Sequence, residues 1–146
     1  MTLGSEPADR LARANQLREL GESARRRDGA TARRCYEEAV TLFRAVDEPL
    51  ALAHAVRHLG DVYVEEGCPD LAEPCYLEAL QLYRSHSAGP SPNLANAIRS
   101  LAVLRWEQSR ALWEEARDLY ARFSIEPGIQ ESSARVSALS GPLATS

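Results

Sequence analysis

Val56-Arg-His-Leu-Gly-Asp-Val-Tyr63 and, beyond Gly67-Cys68-Pro69, Cys75-Tyr-Leu-Glu-Ala-Leu-Gln-Leu82 form the stretch that decides the fold. In the first segment Val56, Leu59 and Tyr63 recur at three- and four-residue steps, the spacing of one helix face. In the second, Tyr76, Ala79 and Leu82 do the same. Between them Gly67 breaks one helix and Pro69 suits the first turn of the next. A small residue on each helix, Gly60 and Ala79, lets the neighbour approach where a larger side chain would push it away. The stretch therefore predicts two amphipathic helices packed as a hairpin.

Working outward, the pattern recurs on both sides. Leu17-Arg-Glu-Leu-Gly-Glu-Ser-Ala24 and Ile98-Arg-Ser-Leu-Ala-Val-Leu-Arg105 match the first segment, with Gly21, Gly60 and Ala102 spaced by 39 and 42 residues. Cys35-Tyr-Glu-Glu-Ala-Val-Thr-Leu42 and Leu112-Trp-Glu-Glu-Ala-Arg-Asp-Leu119 match the second. A helix pair of this kind cannot bury its stripe alone, so neighbouring units must stack. Asp28-Gly29 and Glu48-Pro49 fall at the expected boundaries, Ser87 to Asn93 forms the longest loop, and Pro127-Gly128 precedes a last short helix.

Leu59, Gly60, Tyr63, Gly67, Ala72, Tyr76 and Ala79 together resemble the tetratricopeptide repeat family. The long spacing and Ala72-Glu-Pro-Cys-Tyr-Leu-Glu-Ala-Leu80 look like the longer repeats of the kinesin light chain class. The resemblance implies an all-α fold, an α-α superhelix in the form of a right-handed solenoid of about three hairpins. The units would span about 10–46, 49–85 and 92–123, with a capping helix at 127–139, flanked by a flexible N-terminus (1–8) and a loose tail (140–146). Two departures stand out. Ala24 occupies a place where the family prefers a large residue, and Arg105 replaces the equivalent of Tyr63. Between Pro92 and Pro127 there is no Gly or Pro, and Ser109 is the one residue suited to cap a new helix. Two structures compete there: a tight turn at Gln108–Arg110 closing a third hairpin, or one helix from about Pro92 to Phe123. The flanking patterns favour the hairpin. A single long helix would leave an apolar face open and invite a homodimer through the third unit.

Composition bounds the function. The net charge of −4 lacks the cationic excess that displaces counterions from nucleic-acid phosphates, so a nucleic-acid partner is not expected. Arg25-Arg26-Arg27 reads as the cationic last turn of a helix, and Arg33 and Arg34 as a mixed face with Glu37 and Glu38 one turn on. No apolar run reaches the roughly 20 residues of a membrane helix, and Met1 to Pro7 carries no signal-peptide pattern, so a cytoplasmic protein without a membrane partner is expected. Cys35, Cys68 and Cys75 form no CxxC and no metal-ligand spacing; Cys35 and Cys75 read as small apolar groups on equivalent faces. No phosphate loop, GxSxG or HExxH is present, so neither enzyme nor cofactor is expected. His54, His58 and Asp61 share a face at metal-like spacing but lack a fourth ligand.

The informative constellation lies on the first helix of each unit. In the family these helices line a concave groove. Alignment on Gly21, Gly60 and Ala102 puts Arg18, Arg57 and Arg99 at one position, Asn15, His54 and Asn96 at a second, and Glu22, Asp61 and Val103 at a third. Guanidinium forks flanked by amide and imidazole donors suit carboxylates, so a protein or peptide ligand with an acidic or C-terminal segment is expected. The competing reading is that each arginine pairs with an acid one turn on, Arg18 with Glu22 and Arg57 with Asp61, whereas Arg99 has Val103 there and no such partner. His58 belongs to the same face, and Trp106 is either a peptide anchor or a cover for the shortened turn.

Overall fold

A computed structural model describes residues 6–106 and 109–139. The expected loose tail (140–146), the first five residues of the expected flexible N-terminus and Gln108 lie outside the described residues. Seven α-helices make up the described chain, with no strand among the described residues. The chain divides after His86 into two compact units.

The first unit holds α1 (Pro7–Ala24), α2 (Gly29–Ala45), α3 (Pro49–Glu65) and α4 (Pro69–His86), each packed on the next. Pro7 and Ala8, expected to be flexible, already belong to α1. Proline opens α1, α3 and α4, where its missing N–H loses no intrahelical bond. Asp28 caps α2, its carboxylate accepting from the Thr31 amide (3.1 Å) and hydroxyl. After α3 the chain turns through Gly67 at φ 75°, and Cys68 N–H reaches back to the Tyr63 carbonyl at 2.8 Å, a left-handed close that glycine adopts without a Cβ penalty. The arginines Arg25–Arg27 follow α1 rather than filling its last turn, because the helix ends at Ala24.

The second unit holds α5 (Pro92–Leu104), α6 (Arg110–Arg122) and α7 (Glu126–Leu139), with α5 on α6 and α6 on α7. Residues 92–123 thus form two packed helices rather than one. Arg105 leaves helical geometry at φ −102°, ψ 47°. Ser109 stands at the start of α6 but does not cap it: its hydroxyl donates to the Trp106 carbonyl at 2.9 Å. Ser91 does cap α5, accepting from the Leu94 amide at 3.1 Å.

Small residues let the helices close up. A Cβ added at Gly60 would lie 2.7 Å from the Tyr76 ring, and one at Gly21 would lie 2.9 Å from that of Tyr36. Gly128 on α7 meets Tyr120 of α6 at 2.5 Å in the same sense. Alanines complete the seams: Ala14, Ala32, Ala39, Ala72 and Ala79 are fully buried in the first unit, and Ala95, Ala97 and Ala116 in the second. Tyr36, Phe43 and Val56 centre the first core, while Ile98 and Trp113 are the largest wholly buried side chains of the second. Among the described residues no helix is long and apolar enough to cross a membrane.

Candidate functional site

In the first unit α3, with Tyr76 of α4 and with Arg25 just past the end of α1, forms a largely buried charged network centred on Asp61. Tyr76 donates its hydroxyl to Asp61 Oδ1 at 2.8 Å, and Arg57 Nη1 donates to Oδ2 at 3.2 Å. Arg25 Nη1 and His58 Nδ1 each lie 3.5 Å from the same Oδ2. Arg57 Nη2 stands 2.8 Å from His58 Nε2. Arg25 Nη1 approaches the other ring nitrogen, Nδ1, at 3.4 Å, so the His58 ring is held between two guanidiniums and Asp61. Arg25 completes the network through Glu65 Oε1, to which Nε (2.9 Å) and Nη2 (2.6 Å) both donate.

Asp61 titrates below the ordinary carboxylate range. Burial, the largest single influence, raises it, but the His58 hydrogen bond, Arg57, Tyr76 and Arg25 together outweigh burial. Glu22 is lowered as well, chiefly by the Tyr36 hydroxyl that donates to it at 3.0 Å. In return, burial and these carboxylates push the Tyr36 and Tyr76 hydroxyls far above their usual values.

Two imidazoles lie beside this network. The Tyr36 ring stacks on His58 at 5.8 Å, and His54 meets His58 edge to face at 4.5 Å. His54 is pushed down to about 4, first by burial and then by His58, Arg57 and Arg18, so it is uncharged at neutral pH. Both His58 nitrogens are committed to the arginines and Asp61, which argues against a shared metal with His54.

The expected groove residues thus separate by state. Arg57 pairs with Asp61 as the one-turn spacing predicted. Arg18 does not pair with Glu22. The Glu22 carboxylate takes the Tyr36 hydroxyl instead, and half-buried Arg18 and Asn15 have neither an ion pair nor a hydrogen bond among the described residues. The charge of Arg18 is among the influences that lower His54, after burial, His58 and Arg57. A cleft of about 160 Å³ lined by Glu22, Arg25, Arg26 and Glu65 opens at the end of α1.

In the second unit the expected set is largely engaged from within. Asn96 Oδ1 accepts from the Tyr120 hydroxyl at 2.8 Å. Arg99, expected to lack an acid, is gripped by Glu131 of α7: Nε donates to Oε2 at 2.6 Å and Nη2 to Oε1 at 2.9 Å. The correction has a simple cause, since a partner on another helix is invisible to one-turn spacing. Val103 is exposed. Trp106 is 39% exposed and lies under the Arg135 guanidinium, 4.8 Å from its ring centroid.

Glu65, Glu131, Arg135 and the hydroxyls of Tyr36 and Tyr76 went unread in the sequence, and Arg25 was read only as a helix-end cation. The tyrosines carried a signal, because each sits opposite a groove acid once its glycine fixes the helix register. Burial raises the Cys75 thiol to about 11, which keeps it unreactive, and Cys35 is half-buried too. No protein-family model matches the chain, and no curated protein matches it.

Proposed function

We propose that this chain is a non-catalytic protein- or peptide-binding scaffold of tetratricopeptide type. It docks an acidic segment or a C-terminal carboxylate at Arg18 and Asn15 on α1 of its first unit. The observation that carries this reading is Arg18, a half-buried guanidinium with no acidic partner, beside Asn15 and an uncharged His54. A planar guanidinium fork with flanking donors matches a carboxylate. The neighbouring Arg57–Asp61–Arg25 network holds the face rigid, so docking loses little scaffold entropy.

The test is fluorescence anisotropy with a labelled peptide ending in a run of glutamates, at low salt, on wild type and Arg18→Gln. Light scattering is run on both proteins. The expected result is binding that weakens at least about tenfold in the variant, the worth of a charge-assisted fork, while helicity is unchanged. Equal binding by the two proteins would refute the site. A stable dimer indifferent to the peptide would replace this reading with self-association.

A further inference from the structure

Arg18, Arg57 and Arg99 hold equivalent sequence positions but three different conditions. Arg18 is uncommitted. Arg57 is locked, its side chain and that of Asp61 being only 12% and 15% exposed, with Tyr76 and Arg25 on the same carboxylate. Arg99 lies between these extremes. Its bidentate partner Glu131 comes from α7, and the pair sits at the surface with side-chain exposures of 42% and 28%.

The α7 contact has the geometry that a bound acidic segment would have. Glu131 presents a carboxylate squarely to the guanidinium fork. One turn on, Arg135 lies over Trp106, the candidate anchor of the same unit, and 4.0 Å from Glu131. The body of α7 is held separately, by Gly128 against Tyr120 and by fully buried Ser132. Loss of the Glu131 contact therefore leaves the helix docked. The Arg99–Glu131 pair is more exposed to water than the Asp61 cluster, so another carboxylate can take the place of Glu131 at a smaller desolvation cost than at Asp61.

We propose that Glu131 is an internal competitor for Arg99: it fills a second carboxylate-docking point in the second unit and, with Arg135 over Trp106, masks that unit until a carboxylate ligand displaces it. The proposal rests on the reading of this chain as a carboxylate-binding scaffold. It adds that, of these three arginines, Arg18 alone has no acid paired with it among the described residues.

The experiment follows the arginine Nε–H signals of Arg18 and Arg99 by NMR while acetylated tetraglutamate is titrated into the full chain, wild type and Glu131→Gln. In wild type the Arg18 signal should move first, with Arg99 needing about fivefold more peptide, the competition expected of a surface pair. In Glu131→Gln both should move over the same range. Arg99 responding at equal peptide concentrations in both proteins would overturn the proposal. So would an Arg99 that stays silent in the variant while Arg18 responds, which would leave the first-unit site standing. Arg99 responding only in the variant while Arg18 stays silent would sink the first-unit site and keep this one. Silence at both arginines would overturn both. The Gly128 signal, set by the Tyr120 ring beneath it, reports that α7 remains docked. If it shifts, Glu131→Asp, one methylene short of Arg99, is read by the same outcomes.

Discussion

Asp61 shows what one carboxylate does when four donors converge on it. Two of those donors, Arg25 and Arg57, carry positive charge, so removal of the acid leaves them facing each other with little water. Asp61→Ala is expected to cost about 3 kcal/mol in urea unfolding of the first unit, the scale of a broken buried pair. Arg33→Ala, which breaks more exposed pairs with Glu37 and Glu66, should cost clearly less in the same assay. His54 makes a pH prediction with a definite sign. It titrates near 4 in the fold and at about 6.5 when unfolded, so the unfolded chain binds the extra proton. Its contribution is complete above pH 6.5 and is lost as pH falls toward 4. Asp61 and Glu22, both depressed in the fold, add a further loss as pH falls through their unfolded values, 3.8 and 4.5. Thermal midpoints of His54→Asn measured across pH 4 to 7 should show a flatter slope than wild type, and an unchanged slope would contradict this assignment.

At the scale of elements, the helix pairs depend on glycine–tyrosine contacts and on how each helix ends. Gly60→Ala improves intrinsic helix propensity by up to about 1 kcal/mol. Its new methyl would nevertheless stand 2.7 Å from the Tyr76 ring, whose hydroxyl is tied to Asp61 and cannot swing aside cheaply. A net loss of about 1–3 kcal/mol is expected. Gly29→Ala meets nothing within 4 Å and should be neutral or slightly stabilising in the same denaturation assay. The end of α6 offers the opposite case. Ser124 adopts φ 53° there, while Ile125 N–H returns to the Tyr120 carbonyl at 3.0 Å. A left-handed serine carries a Cβ penalty that glycine lacks, so Ser124→Gly should raise stability by about 0.5–1 kcal/mol. A drop in thermal midpoint would refute that account.

For the whole molecule, binding and stability separate cleanly at Arg18. Because the side chain has no ion pair or hydrogen bond among the described residues, Arg18→Gln should change folding stability by less than about 0.5 kcal/mol while weakening capture of an acidic peptide. Binding should also weaken as salt rises, since the net charge of −4 gives no general attraction for acidic ligands and the contact depends on local, screenable charge. Affinity that is flat between 50 and 500 mM salt would argue for an apolar docking mode instead.

The all-α hairpin fold was legible in the chain because its causes are local. Apolar residues at helical spacing, prolines at helix starts and small residues opposite aromatic rings act within a few turns of one another. The Arg57–Asp61 pair, one turn apart, was legible for the same reason. The break at Arg105 left only partial traces in a stretch without Gly or Pro, so the sequence favoured two helices there without excluding one. Charge partners lay beyond local reading. A guanidinium on its long stem can pair with an acid 32 residues away, as Arg99 does with Glu131, or can find none, as with Arg18 beside a Glu22 already claimed by Tyr36. Periodicity determines which residues share a helix face. Only the packing of several helices decides which carboxylate arrives in front of a given arginine, because that depends on distances across seams that no single helix encodes.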